Sequence, residues 1–168
     1  RFANNYGPGG DGKLRVVDAA ESSDYRKPPK LLSGGGGLVS TGQDYARFCQ
    51  MLLGKGQLGG KRLLRPETVG LMTSNQLVAS AYPISVGADR RPGVGFGLGF
   101  SVVVEKLPGA DYVPIGEYGW GGAASTHFWV SPNDNLAVVV LSQIMPFTFQ
   151  LEAALKPIIY EAVVRMPK

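Results

Sequence analysis

The 168 residues suit a single domain, with 44% hydrophobic residues against 18% charged, a balance that excludes a disordered charged tail. No run of about 18 apolar residues exists to cross a membrane as a helix. One cysteine, Cys49, and one histidine, His127, exclude a disulfide framework, a thiolate zinc site and a multi-histidine metal centre, and the net charge of +4 is spread along the chain rather than clustered as a nucleic-acid footprint.

In chain order, Gly-Pro-Gly-Gly-Asp-Gly at 7–12 is turn chemistry, and Leu14–Asp18 is a short apolar strand. The polar, proline-containing stretch 19–30 is loop. Thr41 with Asp44 three residues on predicts a helix start, in which the hydroxyl caps a free N–H and the carboxylate reaches back. Tyr45, Phe48, Cys49, Leu52 and Leu53 then form one helical stripe, and Gly54 and Gly56 end it. On that stripe Cys49 reads as a core thiol. Residues 58–64 predict a hairpin turning at Gly59 and Gly60, and Pro66 opens a short helix through Val69, Leu71 and Met72. The stretch 74–95 has no sustained period and reads as a functional loop.

The second half reads as strands at 96–105, 117–122, 125–131 and 136–143, with 132–135 as a hairpin turn. The continuously apolar 136–141 predicts a central strand buried on both faces. A closing helix carries Leu151, Leu155, Ile158, Ile159, Ala162, Val163 and Met166, with Pro157 kinking or starting it. The fold class is therefore α+β: one domain over 1–168 with an antiparallel sheet and helices packed on it.

The glycine run 34–37 lacks the Gly-Lys-Ser/Thr of a phosphate loop and reads as a place where backbone approaches backbone. Glycine at 93, 95, 97 and 99 strips one strand face, for a close-packed segment or for a ligand. His127 reads as a strand histidine with a hydrogen-bonded ring. A nucleophilic Ser125 beside it is the weaker reading, because the neighbouring sequence offers no orienting carboxylate.

Four motifs stand in a telling order: Gly-Gly-Gly-Gly-Leu-Val-Ser-Thr at 34–41 before an aromatic helix, Pro-Glu-Thr-Val-Gly-Leu-Met at 66–72, Gly-Phe-Gly-Leu-Gly-Phe at 95–100, and Trp-Gly-Gly at 120–122 before a strand pair. Together they resemble the C-terminal half of the serine β-lactamase and penicillin-binding-protein superfamily, closest to class C-type members and the family VIII carboxylesterases. The resemblance implies an active site built from three motifs: Ser-x-x-Lys for the activated nucleophile, a Tyr-x-Asn type for the base or acid, and a third on a strand lining the site. Carried onto this chain, the third motif is Trp120, Gly121 and Gly122 as the substrate-binding wall, and the Ala123 backbone N–H is half of the oxyanion hole. Trp120 in place of a lysine removes an anchor for a substrate carboxylate, which tilts the expectation from β-lactam to ester.

No serine in the chain has lysine three residues on, and no tyrosine has asparagine two residues on. The resemblance therefore implies that the nucleophile lies upstream of Arg1, that this chain alone is inactive, and that it acts on a small-molecule ester or lactam in a longer context. It implies no cofactor and no metal, no nucleic acid, and cover for the bare helix face and sheet edge by a homodimer or by an N-terminal half. The alternative expectation is a non-catalytic binding or assembly module on the same half-fold. The start at Arg1, with no leader pattern, reads as a processed product or part of a longer chain.

Overall fold

The computed structural model describes residues 2–87 and 89–163. The elements run β1 Asn5–Pro8, β2 Leu14–Asp18, α1 Gly42–Leu53, β3 Gln57–Leu58, β4 Lys61–Arg62, α2 Pro66–Met72, β5 Ser85–Val86, β6 Asp89–Arg90, β7 Val94–Phe96, β8 Ser101–Val103, β9 Tyr118–Gly122, β10 Thr126–Ser131, β11 Leu136–Val140 and α3 Gln150–Glu161. A five-stranded antiparallel sheet in the order β11-β10-β9-β8-β7 forms the centre, and three two-stranded hairpins surround it. The α+β expectation holds.

Helix α1 forms as its sequence dictates. The Thr41 hydroxyl accepts from the Asp44 N–H at 3.1 Å and donates to the Asp44 carboxylate at 2.8 Å, so the box closes through the side chains. The stripe then buries Cys49 and Leu52 against Phe100, Val102, Tyr118, Phe128 and Val130 of the sheet. Burial pushes the Cys49 thiol up to about 11, the behaviour of an inert core group. Pro66 opens α2, whose Val69 joins the same core.

Alternation along β10 divides the interior in two. Phe128 and Val130 face α1 and α2, while Trp129 faces α3 and packs with Val103, Val113 and Tyr160. Ile159 of the closing helix and Val163 just beyond it join this second cluster; Met166 lies outside the described residues. Pro157 sits inside α3 rather than at its start.

Three expectations are corrected. Strand β11 is the edge of the sheet, not its centre. Ala137 and Val139 pack on one core and Leu136, Val138 and Val140 on the other, so both faces are covered. Its side chains stay half-buried because no described strand lies beyond it, and the strand buried along His127–Ser131 is β10. The single strand expected at 96–105 is the hairpin β7–β8, turning where Gly99 adopts φ +98°. Gly95 of β7 and Gly97 just after it serve chain packing: a Cβ at Gly97 would strike the Met72 carbonyl, and one at Gly95 the Asn75 side chain. Asn75 and the backbone of Met72 and Gln76 hydrogen-bond this hairpin, which ties part of the expected loop to the sheet edge. Finally, the close backbone approach expected of the glycine run is confined to Gly37, where a Cβ would strike the Ser33 carbonyl, while Gly34, Gly35 and Gly36 have open space around them in an exposed turn.

Candidate active site

The third-motif residues lie where β9 ends and turns into β10. Trp120 pairs across from Phe128 and shares its face, the α1 side of the sheet. Its ring, partly exposed, meets Phe96 edge-on at 5.0 Å. The two glycines after it are required by space: a Cβ on Gly121 would strike the Phe147 ring, and one on Gly122 the Thr126 hydroxyl. Ala123 stands exposed at the tip of the turn, and its N–H has no hydrogen-bond partner among the described residues. The structure thus brings Trp120, Gly121, Gly122 and Ala123 together at one open strand end.

Behind this tip the turn is clamped. The Ser125 N–H donates to the Gly122 carbonyl at 2.9 Å, and Ser125 adopts φ +56°. Its hydroxyl, 1% exposed as a residue, donates to the Ile144 carbonyl at 2.8 Å and accepts from the Thr148 N–H at 3.1 Å. Ser142 donates within reach of both the Ala124 and Ser125 carbonyls, at 3.0 and 2.6 Å. Ser125 is therefore a buried structural hydroxyl with its bonding capacity spent, which removes the nucleophile reading.

His127 also takes a structural position. Its Nε2 donates to the Thr148 carbonyl, 3.0 Å away, because a carbonyl can only accept. Its Nδ1 lies 2.8 Å from a Glu152 carboxylate oxygen. An orienting carboxylate is thus present, on α3, but the ring faces no serine. Glu152 continues into a buried chain: Lys156 Nζ bridges Glu152 at 2.8 Å and Glu117 at 2.7 Å, and Glu117 accepts from the Tyr160 hydroxyl. Burial raises the Glu117 carboxyl above its usual range, and Lys156 and Tyr160 only partly offset it. Burial also acts to raise Glu152, but the charges of Lys156, His127 and Arg91 outweigh it and hold the carboxyl below its usual range. Among the described residues no His, Cys, Asp and Glu cluster is arranged to hold a metal ion.

These groups were missed in the sequence because they come from distant segments. The available signal was Glu152 and Lys156 four apart on a helix. They share a stripe with Tyr160 and Val163, which turns them inward rather than to water.

The sequence matches the Beta-lactamase family over residues 1–158, and the chain belongs to that family. Protein Rv1367c of Mycobacterium tuberculosis is 39% identical over 127 residues, covering 71% of this chain and 31% of that protein. Acyltransferase calJ of Penicillium decumbens is 28% identical over 131 residues, covering 71% of this chain and 30% of its own length. Among solved structures, the LovD6 mutant of Simvastatin Synthase (LovD) from Aspergillus terreus superposes with a TM-score of 0.73 at 26% identity, covering 95% of this chain and 42% of that one. EstCE1, a hydrolase with promiscuous acyltransferase activity, shares the fold with a TM-score of 0.65 at 18% identity, over 94% of this chain and 43% of that one. The chain spans about a third of the curated relatives it matches.

Proposed function

We propose that this chain forms the third-motif wall of a serine acyl hydrolase or acyltransferase, with ester rather than β-lactam as the substrate class. The observation that carries this reading is the strand end itself: an exposed Ala123 N–H without an acceptor, held by a clamped turn, beside a tryptophan where the β-lactamase pattern has a lysine. A serine hydroxyl from a Ser-x-x-Lys segment attacks the ester carbonyl and passes its proton to a neighbouring base. The oxyanion that forms takes hydrogen bonds from the Ala123 N–H and the serine's own N–H. The alcohol leaves, and water or a second alcohol accepts the acyl group. The names of calJ and EstCE1 support acyl transfer alongside hydrolysis as the chemistry to test.

No Ser-x-x-Lys occurs among these 168 residues, so in this reading a further segment supplies the nucleophile. The uncovered surfaces support such an association: the outer edge of β11 lacks a described partner, and Leu141 and Ile158 are exposed. A second copy of the chain is the other candidate cover. The absence of Ser-x-x-Lys also supports a second reading, a binding or assembly module without catalysis.

A fluorophosphonate probe followed by mass spectrometry tests the first part. The isolated chain should take no label and should not turn over p-nitrophenyl butyrate. Joined to a family segment carrying Ser-x-x-Lys, it should hydrolyse that ester faster than nitrocefin. Stoichiometric labelling of one serine in the isolated chain, or preferred nitrocefin turnover in the joined one, overturns the proposal.

A further inference from the structure

His127, the one histidine in the sequence, is 2% exposed and takes no part in the acyl transfer set out above. On β10 it pairs directly across from Gly121, the middle residue of the candidate third motif. Residues 142–149 run over this spot, from the end of β11 to the start of α3, outside any helix or strand. Their backbone groups are therefore satisfied from elsewhere, and the turn and β10 supply the partners. The Ala124 carbonyl accepts from the Ile144 N–H at 3.0 Å, and the Ser125 hydroxyl bonds both the Ile144 carbonyl and the Thr148 N–H. The Thr148 carbonyl accepts from His127 Nε2 at 3.0 Å. Both backbone groups of Thr148 are thus tied, one to Ser125 and one to His127.

The ring is fixed in the orientation this requires. Phe147 and Phe149 flank it with centroids at 5.2 and 5.8 Å and meet each other edge-on at 4.7 Å. Glu152 on α3 stands 2.8 Å from Nδ1. A ring turned over would present carbon to both Glu152 and Thr148, so the carboxylate selects the edge that faces Thr148. The Phe147 ring also fills the space that a Cβ on Gly121 would need. Ala123 lies midway between Gly121 and Ser125, so both legs of its turn are gripped by residues 147 and 148, and His127 sets where those residues sit. An oxyanion donor works only within about 2.7–3.1 Å of the developing charge, and a misplacement of about 1 Å costs on the order of 10²-fold in rate.

We propose that His127 is a positioning residue for the oxyanion turn: by holding the Thr148 carbonyl it fixes the segment that grips Gly121 and Ser125, and so aims the Ala123 N–H. This inference rests on the acyl-transfer reading, and two measurements separate their failures. In the ¹⁵N-labelled chain as it stands, His127→Leu should shift the backbone amide resonances of Ala123 and Ser125 and leave those of Cys49 and Leu52 in α1 in place. His127→Gln also lacks the ring but carries an amide N–H that reaches as far as Nε2–H, and it should return both resonances towards wild type. In the chain joined to a family segment carrying Ser-x-x-Lys, His127→Leu should lower kcat for p-nitrophenyl butyrate by at least about tenfold with KM little changed, and His127→Gln should bring kcat back to within about threefold. His127→Asn, too short to reach Thr148, should behave as the leucine variant does and replaces it if leucine prevents folding. Unmoved Ala123 and Ser125 amides, a glutamine variant as impaired as the others, or a loss confined to KM each overturns the proposal. A joined protein that is inactive before any substitution refutes the acyl-transfer reading instead, and the amide resonances still decide whether His127 holds the turn.

Discussion

Ser125→Ala isolates the clamp behind the candidate oxyanion turn. The change deletes one oxygen from a site that is 1% exposed and leaves two partners behind, the Ile144 carbonyl and the Thr148 N–H. Each stranded buried group costs about 1–3 kcal/mol, so the pair predicts a loss of about 2–6 kcal/mol. The backbone adds a second handle, because Ser125 holds φ +56° and alanine inherits that strain. Ser125→Gly loses the same hydrogen bonds but relieves roughly 1–2 kcal/mol of left-handed strain, against about 0.5–1 kcal/mol of added chain entropy. The expected order is therefore wild type, then Ser125→Gly, then Ser125→Ala. Urea unfolding reads it directly: with a slope of about 1–3 kcal/mol/M, a 3 kcal/mol loss moves the midpoint by about 1–3 M. An alanine variant within about 0.5 kcal/mol of wild type, or a glycine variant less stable than the alanine one, would refute the clamp.

Leu52→Ala should cost about 2–5 kcal/mol in the same assay, because its side chain is buried in the α1–sheet core; a loss below about 1 kcal/mol would mean that α1 does not pack as described. Glu152, with its carboxyl held below the unfolded value of 4.5, contributes stability above that pH that is lost as the pH falls through the lower folded value. Glu152→Gln should therefore flatten the decline of stability below pH 4.5, and an unchanged slope would count against the buried ion chain. Glu117 runs the other way: its carboxyl is raised, so its contribution is present below 4.5 and lost as pH rises through the folded value, and Glu117→Gln should remove that rising-side loss. Light scattering on the isolated chain should show association, given the free edge of β11 and the exposed Leu141 and Ile158; a clean monomer with no hydrophobic-dye binding argues against it.

What could be read from the sequence was local. The Thr41–Asp44 box, the Gly59-Gly60 hairpin and the Pro66 helix start each rest on a few adjacent residues, and all three appear where expected. The apolar run of β11 announced cover on two faces but not edge position, because edge or centre depends on a neighbouring strand that the run does not encode. The 93–99 glycines announced a close approach but not by what; Met72 and Asn75 supply it from another segment. The candidate third motif, Trp-Gly-Gly, was visible as a word, while the residues that clamp the turn behind it were not. Ser125 sits next to it in sequence, but its partners Ile144 and Thr148 lie about twenty residues on, as does Glu152 from His127.

The most direct measurement concerns the Ala123 N–H. With the chain joined to a family segment carrying Ser-x-x-Lys, Ala123→Pro removes this one donor, and melting and tryptophan fluorescence verify that the fold is kept. If the donor completes the oxyanion hole, kcat for p-nitrophenyl butyrate should fall by about 10²–10³ with KM little changed. A kcat within about threefold of the unsubstituted protein would contradict the assignment of this strand end as the oxyanion wall.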